Sequence, residues 1–194
     1  MTGPKKTMPA EQTPATERIT SVGRMTTPKK IALAGLLSSL AVALGFMLIA
    51  VPNVELMTLT VFVAGGLLDL RGGLLVGVVS MLIYSIANPM GVAVPLVTVS
   101  QVAGMAMVGA AGAATPCVRR VWKGRTARNI ILASAGLLVT IAYDVLTNLA
   151  LGLSMGTVAV VLAAGLVFSM VHFVSNALIF FFLADVLLSM GERL

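Results

Sequence analysis

The sequence predicts an all-α fold, an integral membrane bundle of six transmembrane helices with both the N and C termini in the cytoplasm. Three observations predict it. Of 194 residues, 58% are hydrophobic and only 10% charged, against about 25% charged in a soluble domain. The apolar residues fall in long runs suited to helices across a hydrocarbon core about 30 Å thick, with none of the alternating segments of a membrane barrel. The loops between the runs alternate in basic content, which sets an orientation.

Residues 1–28 are polar, with several Pro and Thr, and carry Lys5, Lys6, Arg18 and Arg24. No apolar h-region with a small-residue cleavage site follows the start, so the segment reads as a disordered cytoplasmic tail. Residues 29–194 form the membrane domain. Lys29 and Lys30 mark its border, and the first run, Ile31 to Val51, is uncharged. Pro52-Asn53-Val54-Glu55 breaks it. The second run, Leu56 to Leu68, is short for a straight span and reads as a short or broken helix shielded by its neighbours. Asp69 to Gly73 reads as a tight polar turn in which Asp69 pairs with Arg71. The third run, Leu74 to Ala87, ends at Asn88-Pro89, and Pro and Gly mark a loop up to Pro95. The fourth, Leu96 to Ala114, is rich in Gly and Ala. Arg119, Arg120, Lys123, Arg125 and Arg128 form a basic loop. The fifth run is Asn129 to Leu153, and the sixth extends from Thr157 to about Ser189.

One set of loops and ends carries Lys29, Lys30, Arg71, the five basic residues of 119–128, and Arg193; the other set, 52–55, 88–95 and 154–156, has no Lys or Arg. The positive-inside rule puts the first set in the cytoplasm. Orientation therefore explains the net charge of +6, and no nucleic-acid partner is implied. Cys117 is the single cysteine, so no internal disulfide can form.

With that orientation, the polar residues within the runs collect in the outer half of the bundle. Thr140, Asp144 and Asn148 recur every four residues on one helical face, with Tyr143 and Thr147 beside them. His172, Ser175 and Asn176 repeat the pattern on the next run. Asn53, Glu55 and Thr58 begin the second helix, Tyr84 and Asn88 end the third, and Thr98 and Gln101 begin the fourth. Ionisable groups within a span are costly and face a bundle interior or a wet cavity. The candidate solute-binding residues are Asn53, Glu55, Tyr84, Asn88, Gln101, Tyr143, Asp144, Asn148, His172 and Asn176. They describe a cup open to the outside, which makes 29–194 a six-helix membrane solute-binding domain.

Plainer readings stand beside this one. Asp144 could be a structural partner of Tyr84 or His172. Ser175 and Asn176 could simply link helices, since such bonds average about 0.6 kcal/mol in membranes. Glu55 could only charge a helix N-terminus. One His and one Cys give no metal-ligand spacing, and no phosphate-binding loop or catalytic nucleophile is present, so neither an enzyme nor a cofactor is expected. Glu55 and Asp144 alone form a thin chain for proton coupling. On the first run Gly35, Ser39 and Ala43 are spaced by four, as are Ala34 and Ser38. Such small-residue stripes admit another helix closely, either a partner's or one of the same bundle.

Several stretches resemble one family. Lys30 to Leu44, Pro52-Asn-Val-Glu-Leu-Met-Thr-Leu-Thr60 and Ile83-Tyr-Ser-Ile-Ala-Asn-Pro-Met-Gly91 are similar to the substrate-binding S components of energy-coupling factor (ECF) transporters. So are Gln101-Val-Ala-Gly-Met105, Tyr143-Asp-Val-Leu-Thr-Asn148 and His172-Phe-Val-Ser-Asn176. The resemblance spans about residues 29–190. It implies a high-affinity subunit that captures a vitamin or related organic micronutrient, working with a membrane T protein and two cytoplasmic ATPases in a prokaryotic cytoplasmic membrane. It also implies that the stripe of Ala34, Gly35, Ser38, Ser39 and Ala43 is the docking site for the T protein, although Gly35 and Ser39 replace alanines of the family's Ala-x-x-x-Ala motif. The histidine-containing N-terminal segment of the metal-transporting branch is lacking in Met1-Thr-Gly, which argues against nickel or cobalt. Two other classes remain open: a stand-alone proton-coupled secondary carrier of a small polar solute, and a ligand-free membrane scaffold.

Overall fold

The computed structural model describes residues 27–89, 91 and 94–191. Among them the regular structure is entirely helical. Helix α1 spans Thr27–Met47, α2 Met57–Leu68, α3 Leu70–Ile86, α4 Pro95–Gly112, α5 Thr115–Val121, α6 Arg125–Met155 and α7 Val158–Ile179. A π-helical turn, Phe180–Ala184, leads into α8, Asp185–Gly191. Four stretches are long and apolar enough to cross a membrane, namely Thr27–Met47, Pro95–Val121, Arg125–Met155 and Val158–Gly191. Met57–Leu68 and Leu70–Ile86 are shorter apolar helices. Each of the six expected runs thus contains a helix, but two fall short of full spanning length. The chain is a multi-pass membrane protein. The expected tail lies outside the described residues, except that α1 begins at Thr27, inside the segment assigned to the tail.

The shortness of α2 follows from its position. Eleven of its twelve residues are buried, because α1, α3 and α4 pack along it and parts of α6, α7 and α8 reach it. A helix that is apolar all round belongs in a core, and α2 needs neither length nor a lipid-facing side. Glycines let three backbones meet beside it. A Cβ on Gly65 or Gly73 would run into the carbonyl of Gly109, and one on Gly112 into that of Phe62. In lipid, where water does not drive association, such close backbone packing holds helices together.

Several boundaries differ from the sequence expectation. Helix α1 stops at Met47, and residues 48–51 fold into turns closed by bonds from Ile49 N to Phe46 O (3.2 Å) and from Val51 N to Leu48 O (2.8 Å). The expected turn 69–73 shrinks to Asp69, at φ 111°. Its side chain accepts from Gly72 N at 3.1 Å, capping α3 so that residues 70–73 are already helical. Asp69 pairs with Lys30, at 2.9 Å, and not with Arg71. The Lys30 ammonium and the Gly72 amide hold the Asp69 carboxyl below its ordinary value, against a smaller opposing effect of burial. The basic loop narrows to 122–124. Pro116 sits in the first turn of α5, where its fixed φ favours a helix start, and Arg125 and Arg128 occupy the first turn of α6.

The sixth run stays helical through the π-turn, which seats Phe180 edge-on against Phe62 (5.0 Å between centroids) and over Gly136, where a Cβ would strike the ring. Directly after it, Asp185 receives two bonds of 2.8 Å from Arg128. Arg119 Nε lies 3.6 Å from the same carboxylate, and Arg119 also donates to Ser189 at 2.9 Å. This network ties α5, α6 and α8 together at the basic end of the bundle. The α1–α2 connection lies at the opposite end.

Candidate functional site

At that opposite end is a cavity of about 270 Å³. Its rim is the segment between α1 and α2: Leu48, Ile49, Val51, Pro52, Asn53, Val54 and Glu55 line it. Its walls are Gly45, Met57, Thr58, Met81, Tyr84, Met105, Tyr143 and His172. The chain has two tyrosines and one histidine, and all three face this space.

Local structure positions each polar group. Asn53 takes a left-handed backbone conformation, φ 58°, which Asn tolerates better than most residues. That turn brings its carbonyl to α7, where Ser175 Oγ donates to it at 2.9 Å. Two residues on, Glu55 Oε2 accepts from Thr58 N at 2.8 Å, satisfying an orphan donor at the start of α2. Glu55 Oε1 turns the other way, 3.4 Å from Asn176 Nδ2 and 3.6 Å from His172 Nε2. Glu55 therefore both caps a helix and faces the site.

His172 sits between two carboxylates. Its Nδ1 is 2.8 Å from Asp144 Oδ1, while Nε2 faces Glu55. Behind this pair, Asn176 Nδ2 donates to Thr140 Oγ1 at 2.9 Å, and Thr140 donates to Gly136 O at 2.7 Å. Among the described residues, His172 Nε2, Asp144 Oδ2 and Asn176 Oδ1 are buried without a hydrogen-bond partner. Burial raises the Glu55 carboxyl, but the His172 imidazole and Thr58 outweigh this and hold it below its ordinary value. The tyrosines are held by ring contacts and by close approach to glycines. Tyr84 stacks on Phe46 with centroids 4.8 Å apart and lies over Gly45. Tyr143 stands edge-on to His172 at 6.4 Å and fills the space left by Gly104.

Of the ten candidate residues, Asn53, Glu55, Tyr84, Tyr143 and His172 line the cavity. Asp144 and Asn176 support them from behind. The other three lie elsewhere. Gln101 accepts from Ser85 at 3.2 Å between α3 and α4. Asn148 faces Gly165 across α6 and α7, because α6 continues a full turn past Asp144 along the α7 interface. Asn88 lies beyond the end of α3 and outside the cavity lining. The apolar lining, Leu48, Ile49 and Val51 with Met57, Met81 and Met105, was missed. Its one sequence signal was Pro52-Asn53, which shows that α1 cannot continue and that the chain must turn over the bundle end.

The small-residue stripe on α1 divides. Ala34 and Ser38 are buried inside the bundle. Gly35, Ser39 and Ala43 are exposed, and no atom lies within 4 Å of where a Gly35 Cβ would be. The docking residues implied by resemblance are thus on two faces, of which only the second is open to another protein.

A family model described as "ECF transporter, substrate-specific component" matches residues 29–187. No curated protein and no solved structure matches the chain.

Proposed function

The chain belongs to the family of ECF transporter substrate-specific components, and from that premise we propose that it is the solute-binding subunit of an ATP-driven importer, taking a vitamin-like organic micronutrient into the cavity beneath residues 48–55. The observation that carries this reading is the convergence of both tyrosines and the one histidine on a single cavity at the end opposite the basic residues. Its volume lies near the lower end of small-molecule sites, roughly 300–1,000 Å³. By the positive-inside rule, the cavity end faces outward, and the family membership supports a place in the cytoplasmic membrane of a prokaryotic cell. The family comprises transporter subunits and not enzymes. Energy for uptake would come from a T protein and two ATPases, with the exposed stripe Gly35, Ser39 and Ala43 as the docking face.

The Glu55–His172–Asp144 chain also favours a second reading, a stand-alone carrier in which these groups pass a proton. Uptake into proteoliposomes separates the two. The importer gives ATP-dependent uptake only when the T protein and ATPases are co-reconstituted, and this uptake is insensitive to a protonophore. Uptake by the chain alone, driven by a pH gradient, would establish the carrier instead.

A further inference from the structure

The charge of the cavity restricts what can enter it. Glu55 and His172 line it, and Asp144 contacts His172 from behind. No Lys or Arg is among the lining residues. The described Lys and Arg residues lie at the other end of the bundle: Lys29 and Lys30 at the start of α1, Arg71 at the start of α3, and the rest on α5, α6 and the junction between them. Two carboxylates and one imidazole carry a net charge of −1 when they share one extra proton, wherever that proton sits, and −2 when they do not. The group is nearly dry: Asp144 and His172 are each 7% exposed. His172 Nε2, directed at Glu55, has no hydrogen-bond partner among the described residues. An uncompensated buried charge costs several kcal/mol. A cation entering the cavity relieves that cost, and an anion adds to it. The rest of the lining suits an organic cation, because aromatic rings attract cations and thioethers are soft and adaptable. Tyr84, Tyr143, Met57, Met81 and Met105 provide both.

We propose that the solute is a small organic cation, an amine or a positively charged nitrogen heterocycle, held by Glu55 and the two tyrosine rings, and that carboxylate- and phosphate-bearing compounds are rejected. This rests on the solute-binding reading of the same cavity. The Glu55 carboxylate is the counter-ion, and the His172–Asp144 pair adds no net positive charge beside it.

The test uses full-length protein in lipid nanodiscs and the small-molecule fraction of yeast extract, split by ion exchange at neutral pH into cationic, neutral and anionic pools. Thermal unfolding is followed with each pool. The cationic pool should raise the melting temperature and the other two should not. Half-maximal stabilisation should require at least about tenfold more of the cationic pool for Glu55→Gln, the equivalent of about 1.4 kcal/mol. Tyr84→Leu should show the same direction and serves if the Glu55 variant does not fold. Stabilisation by the anionic or neutral pool alone would overturn the cation proposal and leave the solute-binding reading standing. Stabilisation by the cationic pool that is unchanged in both variants would overturn the assignment to Glu55 and the rings. No stabilisation by any pool would overturn both readings.

Discussion

His172 Nδ1 stands 2.8 Å from Asp144 Oδ1, so the wall of the cavity is fixed to the helix behind it by one short bond across the α6–α7 interface. Asp144 does not line the cavity, and its influence on solute passes through the imidazole. Asp144→Asn keeps the shape but removes the charge that orients the ring. Loss of a hydrogen bond to a charged group costs roughly 1.5–3 kcal/mol, or about ten- to a hundredfold in affinity. Solute titration of the folded variant should show that loss. Unchanged affinity would mean that the ring holds its position without Asp144.

The rim segment is fastened to α7 by Ser175 Oγ on the carbonyl of Asn53, at 2.9 Å. Among the described residues, this bond and the contacts of Glu55 with Thr58, His172 and Asn176 are the side-chain polar ties between rim and bundle, so the segment can open by breaking few contacts. Hydrogen exchange across 48–56 should slow when solute is bound and quicken in Ser175→Ala, while exchange at 122–124 stays the same. Equal exchange with and without solute would show that this segment is not a lid.

At the other end, Asp185 is 4% exposed and holds Arg128 at 2.8 Å. Removing one partner of a buried pair typically costs about 3–5 kcal/mol, because the other charge is left uncompensated. Asp185→Ala should therefore lower the melting temperature markedly. Affinity for solute, measured below that temperature, should be unaffected because the cavity lies at the opposite end. A melting temperature equal to wild type would mean that the arginines are satisfied by solvent.

The exposed stripe on α1 makes a prediction with the opposite pattern. Gly35→Leu or Ser39→Leu places a bulky side chain where another helix would approach, without touching the bundle interior. Co-purification with the T protein and uptake should both fail, with solute binding by the isolated subunit preserved. Ala34→Leu, on the buried face, should instead destabilise the subunit itself, since overpacking costs about 1–3 kcal/mol. Full uptake by the Gly35 and Ser39 variants would place docking on another surface.

The helical bundle was legible because long apolar runs and loop charge are one-dimensional signals. The short second run could be read as shielded, since a run from Leu56 to Leu68 cannot both span and face lipid comfortably. The i, i+4 spacing found Asp144, His172 and Asn176, but it placed Asn148 with them, because periodicity gives a face and not a depth. Asn148 shares the α6 face yet sits a turn beyond the cavity. Likewise the spacing of the α1 stripe left its two faces undivided, and only packing separated Ala34 and Ser38 from Gly35 and Ser39. The Asp185 network was overlooked: that residue is far in sequence from Arg119 and Arg128, and a single acid near the end of an apolar run gives no periodic signal. The apolar rim was hidden for a related reason. Leu48 to Val51 read as the last turn of a span, whereas the chain leaves the helix there and folds over the cavity.

The central claim is that one solute occupies the cavity bounded by Glu55, Tyr84, Tyr143 and His172. Native mass spectrometry of protein purified from the membranes of producing cells tests it most directly. Wild type and Ser39→Leu should both carry a single small-molecule mass increment. A folded Glu55→Gln, His172→Ala double variant should carry none. The same increment retained in the double variant would contradict the account.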